Sequence, residues 1–236
     1  MKKVLIIGSE GQVGKVFVNH LLSKKFEIIG IDLNETSFNE NIKYFCCNIT
    51  ETSQLDKTLS KIEKLDILIN LAGVSIFTPL EERTEEEIDF VLDVNIKSNI
   101  LITKMVFNKF FKNQKKGCIV NTGSIYGIVS GDMSIYNQGD RRTPEVYGAS
   151  KAAVINLTKY FATYMADFNV RVNCISPGGI YNNHNNDFAN NYSRKVPLKR
   201  MADSKEILSA LDYLISDESS YTTGQNIVVD GGLTLW

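Results

Sequence analysis

Tyr147-Gly148-Ala149-Ser150-Lys151 puts a phenol and an ammonium one helical turn apart, on one face of a helix. A cation beside a phenol favours the phenolate and lowers its pKa, so the pair suits general acid–base work on a substrate oxygen. Tyr-x-x-x-Lys is common by chance, and an exposed helical pair is its default meaning. Its companions change that reading. Ile119-Val120-Asn121-Thr122-Gly123-Ser124 reads as a buried strand ending in a hydroxyl, at the carboxyl end where parallel sheets bind ligands. Asn70-Leu71-Ala72-Gly73 ends another apolar run similarly. Val94-Asn95-Ile96-Lys97 sets an amide inside a long helical pattern, where asparagine is a poor former.

A second chemistry sits at the start of the chain. The apolar run Val4–Ile7 leads straight into Gly8-Ser9-Glu10-Gly11-Gln12-Val13-Gly14, and a helical pattern follows. Glycines there permit positive φ and close approach of a pyrophosphate, while the helix N-terminus offers unpaired N–H groups and a favourable dipole. The spacing is G-x-x-G-x-x-G, and a plain tight turn is the simpler reading. The next strand ends at Asp32, 18 residues beyond Gly14. A carboxylate there accepts from both ribose hydroxyls of an adenosine and repels the extra phosphate of NADP. Leu33 and Asn34 follow it, and Val13 brings no compensating charge.

These residues need a scaffold. Strand-like runs at Val4–Ile7, Ile28–Ile31, Tyr44–Cys46, Ile67–Asn70, Ile119–Asn121, Val170–Ile175 and Ile227–Val229 are apolar throughout, as strands buried on both faces are. Helical patterns lie between them, clearest at Gln12–Lys24, Glu85–Phe111, Val146–Asp167 and Lys205–Ile215. This alternation predicts an α/β fold, a doubly wound Rossmann-type domain filling residues 1–236. An insertion at about 128–145 and a lid at about 181–200 interrupt the rhythm, being too long for ordinary connections.

Composition excludes other classes. The 236 residues carry 26 basic against 27 acidic side chains, net charge −1, so neither nucleic acid nor an anionic membrane is expected as a partner. No apolar stretch approaches the roughly 18–20 residues of a membrane-spanning helix, and the start, cut short at Gly8, falls below a secretion signal. A cytoplasmic protein is expected. Cys46, Cys47, Cys118 and Cys174 lack metal or redox spacing and read as core-packing thiols, and His20 and His184 have no partner at ligand spacing. No metal site is expected.

Taken together, Asn70-x-Ala72-Gly73, Ser124, Tyr147/Lys151, Arg171-Val172-Asn173, Pro177-Gly178 and Gly224-Gln225 through Gly231-Gly232 resemble the short-chain dehydrogenase/reductase family, in its compact single-domain branch, over essentially the whole chain. The resemblance implies a mainly parallel seven-stranded sheet, NAD as cofactor, and a tetrad of Asn95, Ser124, Tyr147 and Lys151. Ser124 then orients the substrate oxygen, Tyr147 exchanges its proton, Lys151 holds the nicotinamide ribose, and Asn95 holds a water for proton relay. It further implies cofactor contacts from Gly8, Glu10, Gly11, Gln12, Val13, Gly14, Asp32, Leu33, Asn48, Ile49, Asn70, Ala72, Gly73, Tyr147, Lys151, Pro177, Gly178, Ile180 and Asn182, and a homotetramer or homodimer through helices near 85–111 and 146–168. The sequence departs from the family pattern in its first turn, in Asn48-Ile49 where an Asp is common, and in Asn182 where threonine is common. It also departs in the 23 residues from Ser124 to Tyr147, about ten more than usual, which must loop over the active-site mouth.

Within the family, Ser124-Ile125-Tyr126-Gly127, Ser134-Ile135-Tyr136 and Ser176-Pro177-Gly178-Gly179-Ile180 resemble bacterial dehydrogenases of flagellin modification and legionaminic-type sugar biosynthesis. The expected reaction interconverts a hydroxyl and a carbonyl on a small polar substrate, a sugar or amino-sugar derivative. Lid asparagines 182, 183, 185, 186, 190 and 191 would supply amides, and Arg141, Arg142, Arg194, Lys195 and Lys199 would meet a phosphate or carboxylate. A nucleotide-sugar epimerase or dehydratase shares the Tyr/Lys pair, but needs a substrate domain this length does not accommodate. A non-catalytic NAD-binding scaffold is disfavoured by the complete tetrad.

Overall fold

The apolar runs become seven parallel strands: β1 (Lys3–Ile7), β2 (Glu27–Asp32), β3 (Lys43–Cys46), β4 (Ile67–Asn70), β5 (Gly117–Thr122), β6 (Val170–Pro177) and β7 (Asn226–Val229). The computed structural model describes residues 1–137 and 142–236. Gly139, Asp140 and Arg141 of the expected insertion lie outside the described residues. The sheet order is β3-β2-β1-β4-β5-β6-β7, so the winding reverses between β1 and β4. That reversal opens a crevice at the carboxyl ends of the strands. Register brings those ends level: Ile7 pairs with Ile31 on one side and Asn70 on the other, and Asn70 pairs with Asn121.

The strands are apolar without alternation because both faces are covered. Leu5, Ile7, Ile29 and Leu68 pack with Leu55 of α2 (Thr52–Leu59), Ile102 of α4 (Ser98–Val106) and Phe161 of α6 (Glu145–Met165). Val4, Ile6, Ile28 and Ile69 pack against Phe17 and Leu21 of α1 (Gln12–Ser23) and Leu211 and Leu214 of α8 (Leu208–Ile215). Cys47, Cys118 and Cys174 are buried as expected. Cys46 is exposed instead, because it closes the edge strand β3.

The helices differ from the periodic reading in three places. The long pattern from Glu85 is broken: α3 (Glu85–Leu92) passes into a π-helical turn (Asp93–Lys97), then α4, a second π turn (Phe107–Phe111) and the short α5 (Lys112–Gln114). Asn95 sits in the first π turn, so the poor helix former marks a local widening. α2 escapes periodicity because only Leu55, Thr58 and Leu59 of its eight residues are buried. The asparagine-rich lid, which the helical patterns do not include, contains α7 (Asn186–Lys195). Asn185 caps it by accepting from the Phe188 N–H at 2.7 Å, and buried Tyr192 packs in a small third core with Ile125, Ile135 and Met201.

One buried amide ties the layers beneath the crevice. Asn121, fully buried in β5, accepts from Asn70 Nδ2 of β4 at 2.9 Å and from Asn99 Nδ2 of α4 at 3.3 Å. It donates to Thr158 Oγ1 of α6 at 3.0 Å. Replacing it by leucine strips three buried polar partners at once. Asn121→Leu is expected to destabilise the fold by about 2–3 kcal/mol in denaturant unfolding. A variant as stable as the wild type contradicts the tie.

Candidate active site

The glycine-rich turn is as close-packed as its spacing suggests. Gly8 adopts φ +86°, and its N–H donates to Ile31 O of β2 at 2.8 Å. A Cβ on Gly14 would stand 2.2 Å from the Gly8 carbonyl oxygen, so only glycine lets α1 start this near the strand end. Gly11 precedes α1 without a side-chain cap, leaving the first helical N–H groups without intrahelical acceptors. Asp32 accepts from Glu10 N at 2.8 Å through one oxygen and from Leu33 N at 2.7 Å through the other. Those bonds aim the carboxylate and leave lone pairs for ribose hydroxyls. The residues fit a dinucleotide with its pyrophosphate over the turn and its adenosine toward Asp32.

Other expected cofactor residues play narrower parts. The Glu10 side chain is buried and holds the next loop, accepting from Ser37 Oγ and Phe38 N at 3.0 and 3.1 Å. Only its backbone serves the turn. Ile49 points into the core, and Asn48 Oδ1 accepts from Thr50 N and Oγ1, so this corner meets an adenine through backbone or not at all. Leu33 is exposed beside Asp32. Gln12 Nε2 donates to Tyr181 O at 2.8 Å, joining the turn to the lid. After Pro177, Gly178 N donates to Val229 O, and a bridge pairs Ile180 with Ala202. The bridging hydrogen bonds come from Gly179 and Tyr181, not from the N–H and C=O of Ile180 itself.

The structure brings Ser124, Tyr147 and Lys151 together and sets Asn95 behind them. Ser124, two residues beyond β5, has its side chain hydrogen-bonded to Tyr147 and accepting from Tyr126 N at 3.2 Å. Lys151 is 4% exposed, and its Nζ donates to Thr122 O at 2.9 Å. Asn95 Oδ1 accepts from Val74 N at 2.8 Å, while its Nδ2 donates to Val74 O and to Ser150 Oγ. Asn95 therefore clamps the segment after Gly73 to α6. Ser150, inside the Tyr-x-x-x-Lys motif, is a supporting residue the motif did not announce.

Two opposing effects act on the Tyr147 phenol. Burial pushes the phenol up, and its hydrogen bond with Ser124 pulls it back down. Lys151 Nζ lies 5.6 Å from the Tyr147 ring centroid, turned to the Thr122 carbonyl. Burial in turn lowers the lysine to about 8, opposed by Cys174.

A cavity of about 670 Å³ opens over Tyr147 and Ser124. Its walls are Gly73–Ser75, the expected insertion at Tyr136 and Thr143, and the lid at Asn182, Asn183, Asn185 and Phe188. Arg194, Lys195 and Lys199 do not reach it. Lys195 pairs with Asp132 at 2.9 Å and Lys199 donates to Arg194 O, both away from the cavity wall. Asn186 and Asn190 also stay outside, and Asn191 Nδ2 holds Ile135 O at 3.4 Å. Arg142 lines a neighbouring cavity of about 830 Å³, and Arg141 lies outside the described residues. The site also depends on Arg83, which no motif marked. Its buried guanidinium donates to Ile76 O and Thr78 O at 3.0 and 2.5 Å, and pairs with Glu145 at 2.7 Å, two residues before Tyr147.

Fold and site together define a dinucleotide-binding oxidoreductase. The family model described as "Enoyl-(Acyl carrier protein) reductase" matches residues 31–234. The 3-oxoacyl-(acyl-carrier-protein) reductase of Thermotoga maritima is 31% identical over 99% of this chain and 98% of its own. D-arabinitol 2-dehydrogenase (ribulose-forming) of Candida tropicalis is 29% identical over 100% and 93%. Among solved structures, a short chain dehydrogenase from Leptospira borgpetersenii serovar Hardjo-bovis with bound NAD+ superposes with a TM-score of 0.93, at 40% identity over 99% of this chain and 92% of that one. The chain belongs to the short-chain dehydrogenase/reductase family.

The buried lysine makes a pH-dependent prediction. Between about 8 and its ordinary 10.5, Lys151 binds fewer protons in the folded than in the unfolded chain. Its contribution to stability therefore grows as pH rises through that window. Lys151→Met lacks this gain, so its Tm relative to wild type should fall between about pH 7.5 and about pH 9.5. A Tm difference that does not change with pH contradicts the buried ammonium.

Proposed function

We propose that this chain is an NAD(H)-dependent oxidoreductase that interconverts a hydroxyl and a carbonyl on a small polar substrate. The observation that carries the reading is that Ser124 and Tyr147 line one cavity with Gly73, which abuts the Lys151 ammonium, while the neighbouring Ala72 packs against Gly8 of the glycine-rich turn. NAD(H), when bound, supplies or accepts the hydride. Ser124 holds the substrate oxygen, and Tyr147 gives or takes the proton there. Lys151 fixes the ribose and keeps a positive charge near the phenol, and Asn95 holds the segment under both. Asp32, by excluding a ribose phosphate, selects NAD(H) over NADP(H). The substrate we favour is a polyhydroxylated compound, a sugar or amino-sugar derivative, within surface-glycan biosynthesis on the strength of the motif resemblance. Exposed Tyr160 and Tyr164, stacked at 6.1 Å on α6, support a homo-oligomer built on that helix.

Two variants test the chemistry and the cofactor. Tyr147→Phe keeps the ring and removes the proton donor, so kcat should fall by about 10²–10⁴ with NADH binding within a few-fold. A variant retaining more than a tenth of wild-type kcat, when chemistry limits the rate, defeats the role of the phenol. Asp32→Ala should narrow the preference for NADH over NADPH by at least about tenfold. Wild-type protein that uses NADPH as well as NADH overturns the reading of Asp32.

A further inference from the structure

The catalytic cavity contains no Asp, Glu, Lys or Arg among its described wall residues. His184, Phe188, Tyr136 and Tyr192 line it as a connected series of rings, which exposed Tyr181 extends outside the cavity. Tyr181 lies 6.1 Å from His184, which stacks on Phe188 at 5.1 Å and 30°. Phe188 leans on Tyr136 at 5.5 Å and on Tyr192 at 6.1 Å. The series is fixed by its polar atoms. Tyr192 OH accepts from Gly179 N at 2.6 Å, Tyr136 OH pairs with Thr143 Oγ1 at 2.6 Å, and His184 Nδ1 accepts from Asn182 N at 3.1 Å. These bonds hold the rings in place along the cavity wall. The amides of Asn182 and Asn183 stand along the rim of the same cavity.

Ring faces beside amides suit a molecule with an apolar C–H face and a hydroxylated edge. A phosphate dianion here would lose water without gaining a counter-charge from any described wall. We infer that the site takes an uncharged, ring-shaped polyhydroxylated substrate, a free sugar or cyclic polyol without a phosphate ester, whose C–H face rests on Phe188 and His184. This deepens the oxidoreductase reading proposed above and depends on it. It also replaces the expectation of a basic lid, since Arg194, Lys195 and Lys199 lie off the cavity.

The experiment compares three probe sets on the full chain: neutral aldoses and cyclic polyols with NAD+, the same sugars as phosphate esters with NAD+, and alicyclic ketones without hydroxyls with NADH. NADH binding is followed separately by fluorescence. A neutral ring substrate should be used with kcat/KM at least about tenfold above its own phosphate ester and above any plain ketone. Phe188→Leu, which keeps apolar volume but loses the ring, should raise KM for that substrate about fivefold with little change in kcat. Phe188→Tyr should restore it, and Arg194→Ala should change neither constant. Preference for the phosphate ester or the plain ketone overturns the inference while leaving the oxidoreductase reading intact. Turnover of none of the three sets also overturns it. Absence of NADH binding removes the oxidoreductase reading itself.

Discussion

A lysine that is 4% exposed must find its partners inside the protein, and that constraint organises this molecule. The ammonium of Lys151 is held by the last carbonyl of β5, at Thr122. For that carbonyl to be in reach, β4 and β5 must end level and α6 must pack across them, which the Asn121 amide network enforces. The approach also requires that nothing fill the space at Gly73, where a Cβ would lie 3.1 Å from Nζ. Asn95 then fixes the next residue, Val74, to α6 through Ser150. Holding one charge in the interior thus fixes the edges of β4, β5, α4 and α6, and Tyr147 and Ser124 stand on those edges.

The cofactor side and the substrate side are built by different physics. Around Gly8 and Asp32 the work is done by backbone N–H groups and by a carboxylate aimed by two of them. Over Tyr147 the walls include aromatic side chains such as Phe188 and Tyr192, on a lid that is anchored at several points. Tyr192 reaches back to Gly179, Ala202 bridges Ile180, and Gln12 joins Tyr181 to the phosphate turn. The first side is constrained by the shape every dinucleotide shares. The second is where this chain is individual.

That division explains what could be read from the residues. The seven strands were legible because double-sided burial leaves uninterrupted apolar runs. Gly8–Gly14, Asp32, Ser124, Tyr147 and Lys151 were legible because backbone geometry and proton chemistry admit few residue types. The lid was not. Its asparagines read as amides for a substrate, yet Asn185 is a helix cap, and the residues that pack the lid are Phe188 and Tyr192, spaced one turn apart in a largely polar segment. The basic residues after them misled, since charge in a sequence does not say which way a short helix faces. Arg83 was equally silent, because its partners are two carbonyls and a carboxylate far along the chain.

The central claim is that one crevice, running from Asp32 past the glycine turn to Lys151 and Tyr147, holds the dinucleotide against the proton-transferring phenol. Crystals grown with NAD+ test it most directly. Ordered dinucleotide is expected with its adenosine end at Asp32 and its nicotinamide end against Lys151 and Tyr147. A dinucleotide bound elsewhere, or in this crevice with its nicotinamide end away from Tyr147, would contradict it.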